Sequence, residues 1–276
     1  MSLRGLLCCE VTKTKRDNIL LAGLAAVLLS VGYSTFQMYL GMSVGERMYF
    51  DLLSYVVVFN NTTLVLPATL ALVGGHMIDR EYGAGTLKSI LTIPVPFQRL
   101  LVAKLLAGGL VSLLFGVTSF TLTLASGTLL LRLDGVTVDG ICLACWQICG
   151  MSLLCYLAVT PVIVLATRRR GLYTVGAGVA FLLSLTCLFV GSSSVSDVFP
   201  ITAGYALVGY AAASETAAPL TSLAVFAGVL VITAALVRHS PSYDSLVATS
   251  AKARGRASRK AKIGRRGSVC ELGPRP

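Results

Sequence analysis

A lysine and a serine that follow two glycines, Lys88-Ser89, are the residue types that hold phosphates in a nucleotide-binding loop. That loop requires the spacing G-x-x-x-x-G-K-[ST], and here Tyr82 and Leu87 occupy the two glycine positions. No strand pattern precedes the segment either. The sequence therefore predicts that the chain has no nucleotide-binding site of its own and is not itself an enzyme.

Three cysteines, Cys142, Cys145 and Cys149, follow one another at i, i+3 and i+7, so a helix would place them on one face. Such thiols can hold a metal ion or form a redox pair, and Asp139 lies close by in the sequence. No histidine completes a ligand set at this spacing, and the two histidines of the chain form no H-E-x-x-H motif. We favour small-residue helix packing over a metal or redox site.

Four consecutive polar residues, Asn60, Asn61, Thr62 and Thr63, interrupt a long apolar run. Unpaired polar groups are costly in hydrocarbon, so these side chains need partners. We expect them either to form interhelical hydrogen bonds or to line a polar translocation path at a subunit interface. Pro67 follows and is expected to kink the helix and free nearby carbonyl groups.

The elements that position these residues are membrane spans. The chain is 55% hydrophobic and 13% charged, whereas soluble domains carry about 25% charged residues. Six apolar runs are long enough to cross a bilayer: 18–40, 52–77, 100–131, 143–167, 172–190 and 221–237. The first run is longer than the apolar region of a signal peptide, so we expect it to stay as a span. The sequence predicts an all-α membrane protein.

The cations indicate how the spans are oriented. With six spans, 21 of the 23 Lys and Arg residues fall on one side, and only Arg47 and Arg132 fall on the other. The positive-inside rule makes the first side cytoplasmic, with both termini on it. We therefore expect an N-terminal arm (1–17), a six-span membrane domain (18–237) and a basic tail (238–276) that is disordered and attracted to anionic lipid. Nothing in the tail indicates nucleic-acid binding.

The spans contain few groups that could drive transport. Lys104, near the cytoplasmic end of the third span, is expected to extend its stem towards the surface. The longest outer loop, 191–220, contains an apolar stretch, 201–213, that we expect to form a helix dipping into the membrane. Energy for uphill transport would have to come from a separate partner. The alternative to a transport protein is a membrane scaffold or assembly factor that transports nothing.

The cytoplasmic connection between spans two and three has the pattern of a short amphipathic helix. Leu87, Ile90 and Leu91 share one face, and Pro94 and Pro96 end the helix. Its motif resembles the coupling-helix signature of type-2 ATP-binding-cassette (ABC) transporter permeases and is most similar to the lantibiotic-immunity branch. The matching residues are Glu81-x-x-x-Gly85-Thr86, Lys88, Leu91-x-x-Pro94, Arg99 and Lys104.

The resemblance implies a permease subunit of an exporter in the cell (inner) membrane. Two such subunits, identical or siblings, would pair and each dock segment 79–99 on a cytoplasmic ATPase that binds ATP and Mg²⁺; this chain would bind no cofactor. The implied cargo is a peptide antibiotic or another amphipathic compound, exported for self-immunity. The implied ATPase-coupling residues are Glu81, Gly85, Thr86, Leu87, Lys88 and Leu91. The basic tail is not part of the family pattern.

Overall fold

A computed structural model describes residues 3–15, 17–83, 97–133, 135–168, 171–190, 198–210 and 219–239. Within these ranges the chain is almost entirely helical and contains no strand. The nine α-helices of this part are α1 (Leu3–Lys15), α2 (Asn18–Ser43), α3 (Phe50–Asn60), α4 (Leu66–Gly83), α5 (Phe97–Ala125), α6 (Val138–Ala166), α7 (Tyr173–Val190), α8 (Pro200–Leu207) and α9 (Pro219–Arg238). Two π-helical turns, Asn61–Val65 and Ser126–Leu130, follow α3 and α5.

In the described ranges, six helical segments are long and apolar enough to cross a membrane, which confirms the predicted number of spans. They are Asn18–Ser43, Phe50–Arg80, Gln98–Leu130, Val138–Ala166, Tyr173–Val190 and Leu220–Arg238. The fourth begins five residues earlier than predicted, because the side chain of Thr137 caps the helix by accepting from the N–H of Gly140 at 3.1 Å. Hydropathy alone does not detect such a polar cap.

The second span, formed by α3, the π-helical turn and α4, lies at the centre of the bundle. It packs against spans one, three, four and five. Its apolar face is almost fully buried, from Phe50 and Leu53 through Leu70 to Met77. The fourth span, α6, is the second central helix and contacts spans two, three, five and six. The polar residues 60–63 therefore lie in the middle of the core.

A close contact at Gly108 joins α5 and α6. The ring of Tyr156 occupies the space that a Cβ atom on Gly108 would need. The Tyr156 hydroxyl donates a hydrogen bond to the carbonyl of Leu105 at 2.7 Å. A glycine on one helix thus admits a large amphipathic side chain from the other, and the phenol finds a backbone acceptor inside the membrane region.

The structure describes most of the N-terminal arm but almost none of the basic tail. Residues Met1–Arg238 form one compact unit. The N-terminal arm contains a helix, α1, that packs against α5, whereas the sequence indicated only a polar arm. The basic tail, apart from Arg238 and His239, lies outside the described residues. Its predicted disorder and lipid attraction stay predictions.

Candidate functional site

The predicted coupling segment lies between α4 and α5, and the structure describes its two flanking helices. Glu81 belongs to the last turn of α4, which ends at Gly83. The other predicted coupling residues lie outside the described residues: Gly85, Thr86, Leu87, Lys88 and Leu91. Their role in contacting an ATPase therefore stays a prediction.

The two asparagines of the second span form hydrogen bonds to neighbouring spans. Asn60 donates from Nδ2 to Ser34 Oγ at 2.9 Å and to Gln37 Oε1 at 2.7 Å, both on α2. Asn61 donates to Ser119 Oγ of α5 at 2.7 Å. Each of these amides is buried, with at most 6% of the residue exposed. The interhelical hydrogen bonds expected from the sequence are present.

Asn61 also accepts a hydrogen bond, so its amide joins three spans. Ser30 of α2 donates to Asn61 Oδ1 at 2.7 Å while the Nδ2 group bonds α5. An amide has one acceptor and two donors, and this arrangement uses both types in a site that excludes water. The residue therefore fixes spans one, two and three relative to each other.

Pro67 explains why the backbone near Thr63 needs a partner. In a regular α-helix the N–H of residue 67 would bond the carbonyl of residue 63, but proline has no N–H. The hydroxyl of Ser184 on α7 donates to this Thr63 carbonyl at 2.8 Å. The π-helical turn Asn61–Val65 lies at the same place. A fifth-span hydroxyl thus lies within hydrogen-bond distance of the carbonyl that Pro67 cannot pair.

Thr62 connects the second span to α8, the short helix in the segment after span five. The hydroxyls of Thr62 and Tyr205 form a hydrogen bond in which either oxygen can be the donor, and Thr62 Oγ1 also lies 2.8 Å from the carbonyl oxygen of Val58. Burial raises the pKa of Tyr205 above that of an ordinary phenol, so this hydroxyl stays protonated. The predicted helix within 201–213 is thus present at Pro200–Leu207 and packs into the bundle.

A stack of three tyrosines continues from this contact. Tyr205 stacks on Tyr210 with ring centroids 4.6 Å apart, and Tyr210 stacks on Tyr55 at 4.1 Å. The Tyr210 hydroxyl donates to the carbonyl of Tyr55 at 3.0 Å. Sequence reasoning missed this cluster, because the two tyrosines after span five were noted only as part of an apolar stretch. A tyrosine spacing of five in a membrane-facing segment was the available signal.

At one end of the bundle, a buried ion pair joins α1 to the third span. Lys104 Nζ lies 2.8 Å from Glu10 Oε2, and both side chains are only 3% exposed. Lys104 also donates to the carbonyl of Met77 on α4 at 2.9 Å. The expectation that Lys104 extends to the surface is therefore wrong. A carboxylate and a carbonyl inside the bundle hold the ammonium group, which offsets part of its desolvation cost.

More polar contacts cross-link the helices at the same end. Arg80 of α4 pairs with Asp17, and His76 Nε2 lies 3.8 Å from the same carboxylate. Asp79 accepts from the backbone N–H of Gly171, a residue whose positive φ of 79° favours glycine. We call Glu10, Asp17, Arg80 and Lys104 the ion-paired end. It contains the termini of α4 and α5, from which the predicted coupling segment departs.

Comparison with known protein families identifies the chain. Residues 6–187 match the family described as ABC-2 family transporter protein. This chain belongs to the ABC-2 transporter family. The match covers most of α1, the first four spans and most of the fifth, and so contains the coupling segment, residues 60–63 and the ion-paired end. A comparison with curated proteins finds no match.

The ABC-2 family is the membrane component of ABC transporters and not the ATPase, so this chain is a multi-pass permease subunit. ABC-2 permeases usually work with a cytoplasmic ATPase. The segment after span five, with Tyr205 and Tyr210, lies beyond the matched range. The ion-paired end and residues 60–63 are therefore features within the family region, and the tyrosine stack is assigned by this structure alone.

The cysteine face of this ABC-2 permease packs against a neighbouring helix. Cys142 is exposed, whereas Cys145 and Cys149 are partly buried. A Cβ atom on Gly116 of α5 would lie 3.0 Å from the Cα atom of Cys149, so the two helices approach closely there. In the part of the chain that the structure describes, no group of three or more His, Cys, Asp or Glu residues is placed to hold a metal. The contact favours the packing interpretation.

Proposed function

We propose that this permease is the membrane subunit of an exporter that a separate cytoplasmic ATPase drives. The cargo is a peptide antibiotic or another amphipathic compound, and the biological role is self-immunity or resistance. The observation that carries the proposal is the ABC-2 family match over residues 6–187. The likeness of residues 81–104 to the lantibiotic-immunity branch supports the cargo class.

The distribution of charge supports the proposed orientation in the cell membrane. Cations cluster where helices end at the ion-paired end, on α1, α4, α5, α6 and α9: Lys13, Lys15, Arg80, Arg99, Lys104, Arg168 and Arg238. The positive-inside rule places this end on the cytoplasmic side. The coupling segment between α4 and α5 then faces the cytoplasm, where an ATPase is available. The basic tail is on the same side, facing anionic lipid.

Power would be transmitted by rigid-body movement. The partner ATPase binds ATP and Mg²⁺, and its closure pushes the segment that contains Glu81 and Lys88. Two permease subunits, identical or siblings, form the path between them. In this conformation residues 60–63 are buried within one chain. They supply the polar groups of the path when the subunits change conformation.

The first test is retention of the ATPase. The permease is co-expressed with the ATPase encoded by a neighbouring gene and purified by a tag on the permease. Glu81→Arg or deletion of residues 81–91 is expected to lower the retained ATPase about tenfold or more, the effect of losing about 1.4 kcal/mol of binding free energy. Glu46→Arg, the same charge reversal at an exposed residue of the opposite end, is the matched control.

Two results would contradict this proposal. If the complex survives deletion of residues 81–91 unchanged, the coupling assignment fails. If a membrane-impermeant amine reagent labels Lys88 from outside intact cells, the orientation fails.

The second test addresses transport. A fluorescent lantibiotic or an amphipathic dye is added to the outside of inside-out vesicles that contain the permease and its ATPase. ATP-dependent accumulation inside the vesicles, abolished by Glu81→Arg, is expected. A permease that assembles with the ATPase but moves neither probe would favour the scaffold alternative.

A further inference from the structure

The strongest unexplained feature is the charge pair Glu10–Lys104, because it is the most deeply buried ion pair in the described part of the chain. Both side chains are 3% exposed, whereas the partners in the Asp17–Arg80 pair are 21% and 24% exposed. Burying two charges is costly even when they are paired, and hydrophobic residues of similar size often stabilise a fold as well or better. A pair at this position therefore calls for a role besides stability.

The position of Lys104 supplies that role. Lys104 lies seven residues after the start of α5 at Phe97, and its acceptor carbonyl, on Met77, lies six residues before the end of α4 at Gly83. One ammonium group thus contacts both helices that flank the connection 84–96, about two turns from each end. Any change in the separation of the two flanking helices would have to break this bond.

Glu10 adds a third body to the same contact. It belongs to α1, which is far from α4 and α5 in sequence, and its second oxygen lies 3.5 Å from Lys13 Nζ. The Glu10 backbone carbonyl also accepts from the buried hydroxyl of Thr14 at 2.8 Å, so the carboxylate is on a well-packed face of α1. Lys104 of α5 therefore contacts α1 as well as α4.

A second ion pair lies within the α4 end of the coupling segment 79–99. Asp17 directly precedes α2 and pairs with Arg80, the neighbour of Glu81. The stretch from α1 to the start of α2 thus bonds both α4 and α5 next to the ends of the coupling segment. No other stretch of the described chain has carboxylates paired with both helices.

We propose that Glu10 and Lys104 are positioning residues, which join α1 to both flanks of the coupling segment so that the three helices move as one body when the ATPase pushes. The proposal rests on the proposed function and adds α1 to its transmission path. Because a separated charge would be left unpaired in a buried site, the pair keeps the three helices together through the movement.

The test separates coupling from folding by comparing single and paired neutral variants. Lys104→Met and Glu10→Gln each leave one buried charge without its partner and are expected to lower the melting temperature of the purified permease. The double variant Glu10→Gln/Lys104→Met leaves no charge and is expected to melt near the wild-type temperature. Stability alone then no longer distinguishes the double variant from the wild type.

Coupling is measured as a ratio of two rates: the rate of ATP hydrolysis by the ATPase with the permease in nanodiscs, divided by the rate without the permease. We expect the double variant to retain the ATPase. The effect of the permease on the rate of ATP hydrolysis is expected to fall about fivefold or more, so that the ratio approaches one. Lys104→Arg keeps the charge and is expected to keep the ratio. The matched control is Lys13→Met, which removes the other cation beside Glu10. The Lys13 side chain is 43% exposed, and no effect on the ratio is expected.

Each outcome decides between the proposals. A stable double variant with the wild-type ratio overturns the positioning role and leaves the proposed function intact. If the double variant does not fold, Glu10→Asp takes its place: it keeps the charge but shortens the reach, and an unchanged ratio there also overturns the role. If the wild-type permease binds no ATPase, the proposed function fails and the positioning role fails with it.

Discussion

The ion-paired end and the polar residues 60–63 join the same helices by different chemistry. At the ion-paired end, formal charges cross-link α1, α4 and α5 near the ends of the helices. In the middle of the second span, neutral amides and hydroxyls of Asn60, Asn61 and Thr62 bond spans one and three and α8. Charges occur where a helix approaches the interface, and neutral groups occur at mid-depth.

The difference follows from the cost of removing each group from water. A neutral amide in hydrocarbon needs only one or two partners, and interhelical bonds of this type are worth about 0.6–2 kcal/mol. A charge needs an opposite charge, and removal of one partner of a buried pair costs about 3–5 kcal/mol. The comparison predicts large effects at the ion-paired end and smaller, more additive effects at mid-depth.

The largest effect is expected for Lys104→Met alone. The substitution leaves the buried Glu10 carboxylate with only the partly exposed Lys13 ammonium, 3.5 Å away, as a cation, and is expected to destabilise the permease by about 3–5 kcal/mol. Thermal unfolding in detergent, followed by tryptophan fluorescence or loss of a monodisperse gel-filtration peak, measures the change. A decrease in stability no larger than that of Lys13→Met would show that water reaches the pair.

An intermediate effect is expected for Asn61→Leu. The change removes the hydrogen bonds to Ser30 and Ser119, and a loss of about 1–2 kcal/mol is expected because serine hydroxyls can bond their own helix instead. Thr186→Val, at an exposed hydroxyl that bonds only the carbonyl of Leu182, is the control for loss of a polar group. Equal losses at the two sites would contradict the structural role of Asn61.

A smaller effect is expected for Tyr205→Phe, which keeps the ring stack and deletes the bond to Thr62. We expect a loss of about 0.6 kcal/mol. A double-mutant cycle with Thr62→Val isolates the pair, since both substitutions keep the shape of the side chain. A coupling energy of zero would indicate that α8 is held by its stacking and packing alone.

The smallest effect is expected at the more exposed pair of the ion-paired end. Asp17→Asn removes the charge that faces Arg80 and His76, and a loss below about 1 kcal/mol is expected because solvent screens the pair. Repeating the measurement at high salt is expected to remove most of the difference. A salt-independent loss as large as that of Lys104→Met would show that the two pairs do not differ in burial.

Several features of the fold follow from the sequence because they depend on local composition. Six runs of about twenty apolar residues require six helices, since hydrocarbon offers the backbone no other hydrogen-bond partners. Pro67 lacks an N–H, so a freed carbonyl near Thr63 was expected before its partner was known. The resemblance of residues 81–104 to ABC-2 permeases agrees with the family match.

Other features depend on partners that are remote in sequence. Glu10 and Lys104 are 94 residues apart, and Thr62 and Tyr205 are 143 apart. A lysine near the end of a span can equally well extend to the surface, and only the position of α1 decides that it is buried. The hydrogen bonds of Asn60 and Asn61 likewise depend on the positions of Ser34 and Ser119, which lie on other helices.

The sequence by itself determined that this protein is a six-span helical membrane protein, because hydropathy and backbone hydrogen bonding act along the chain. The tertiary structure alone decided which polar groups meet, because hydrogen bonds and ion pairs form over about 3 Å and depend on how helices pack. The pairing of Glu10 with Lys104 is the clearest case: both residues are visible in the sequence, and their contact is a property of the fold.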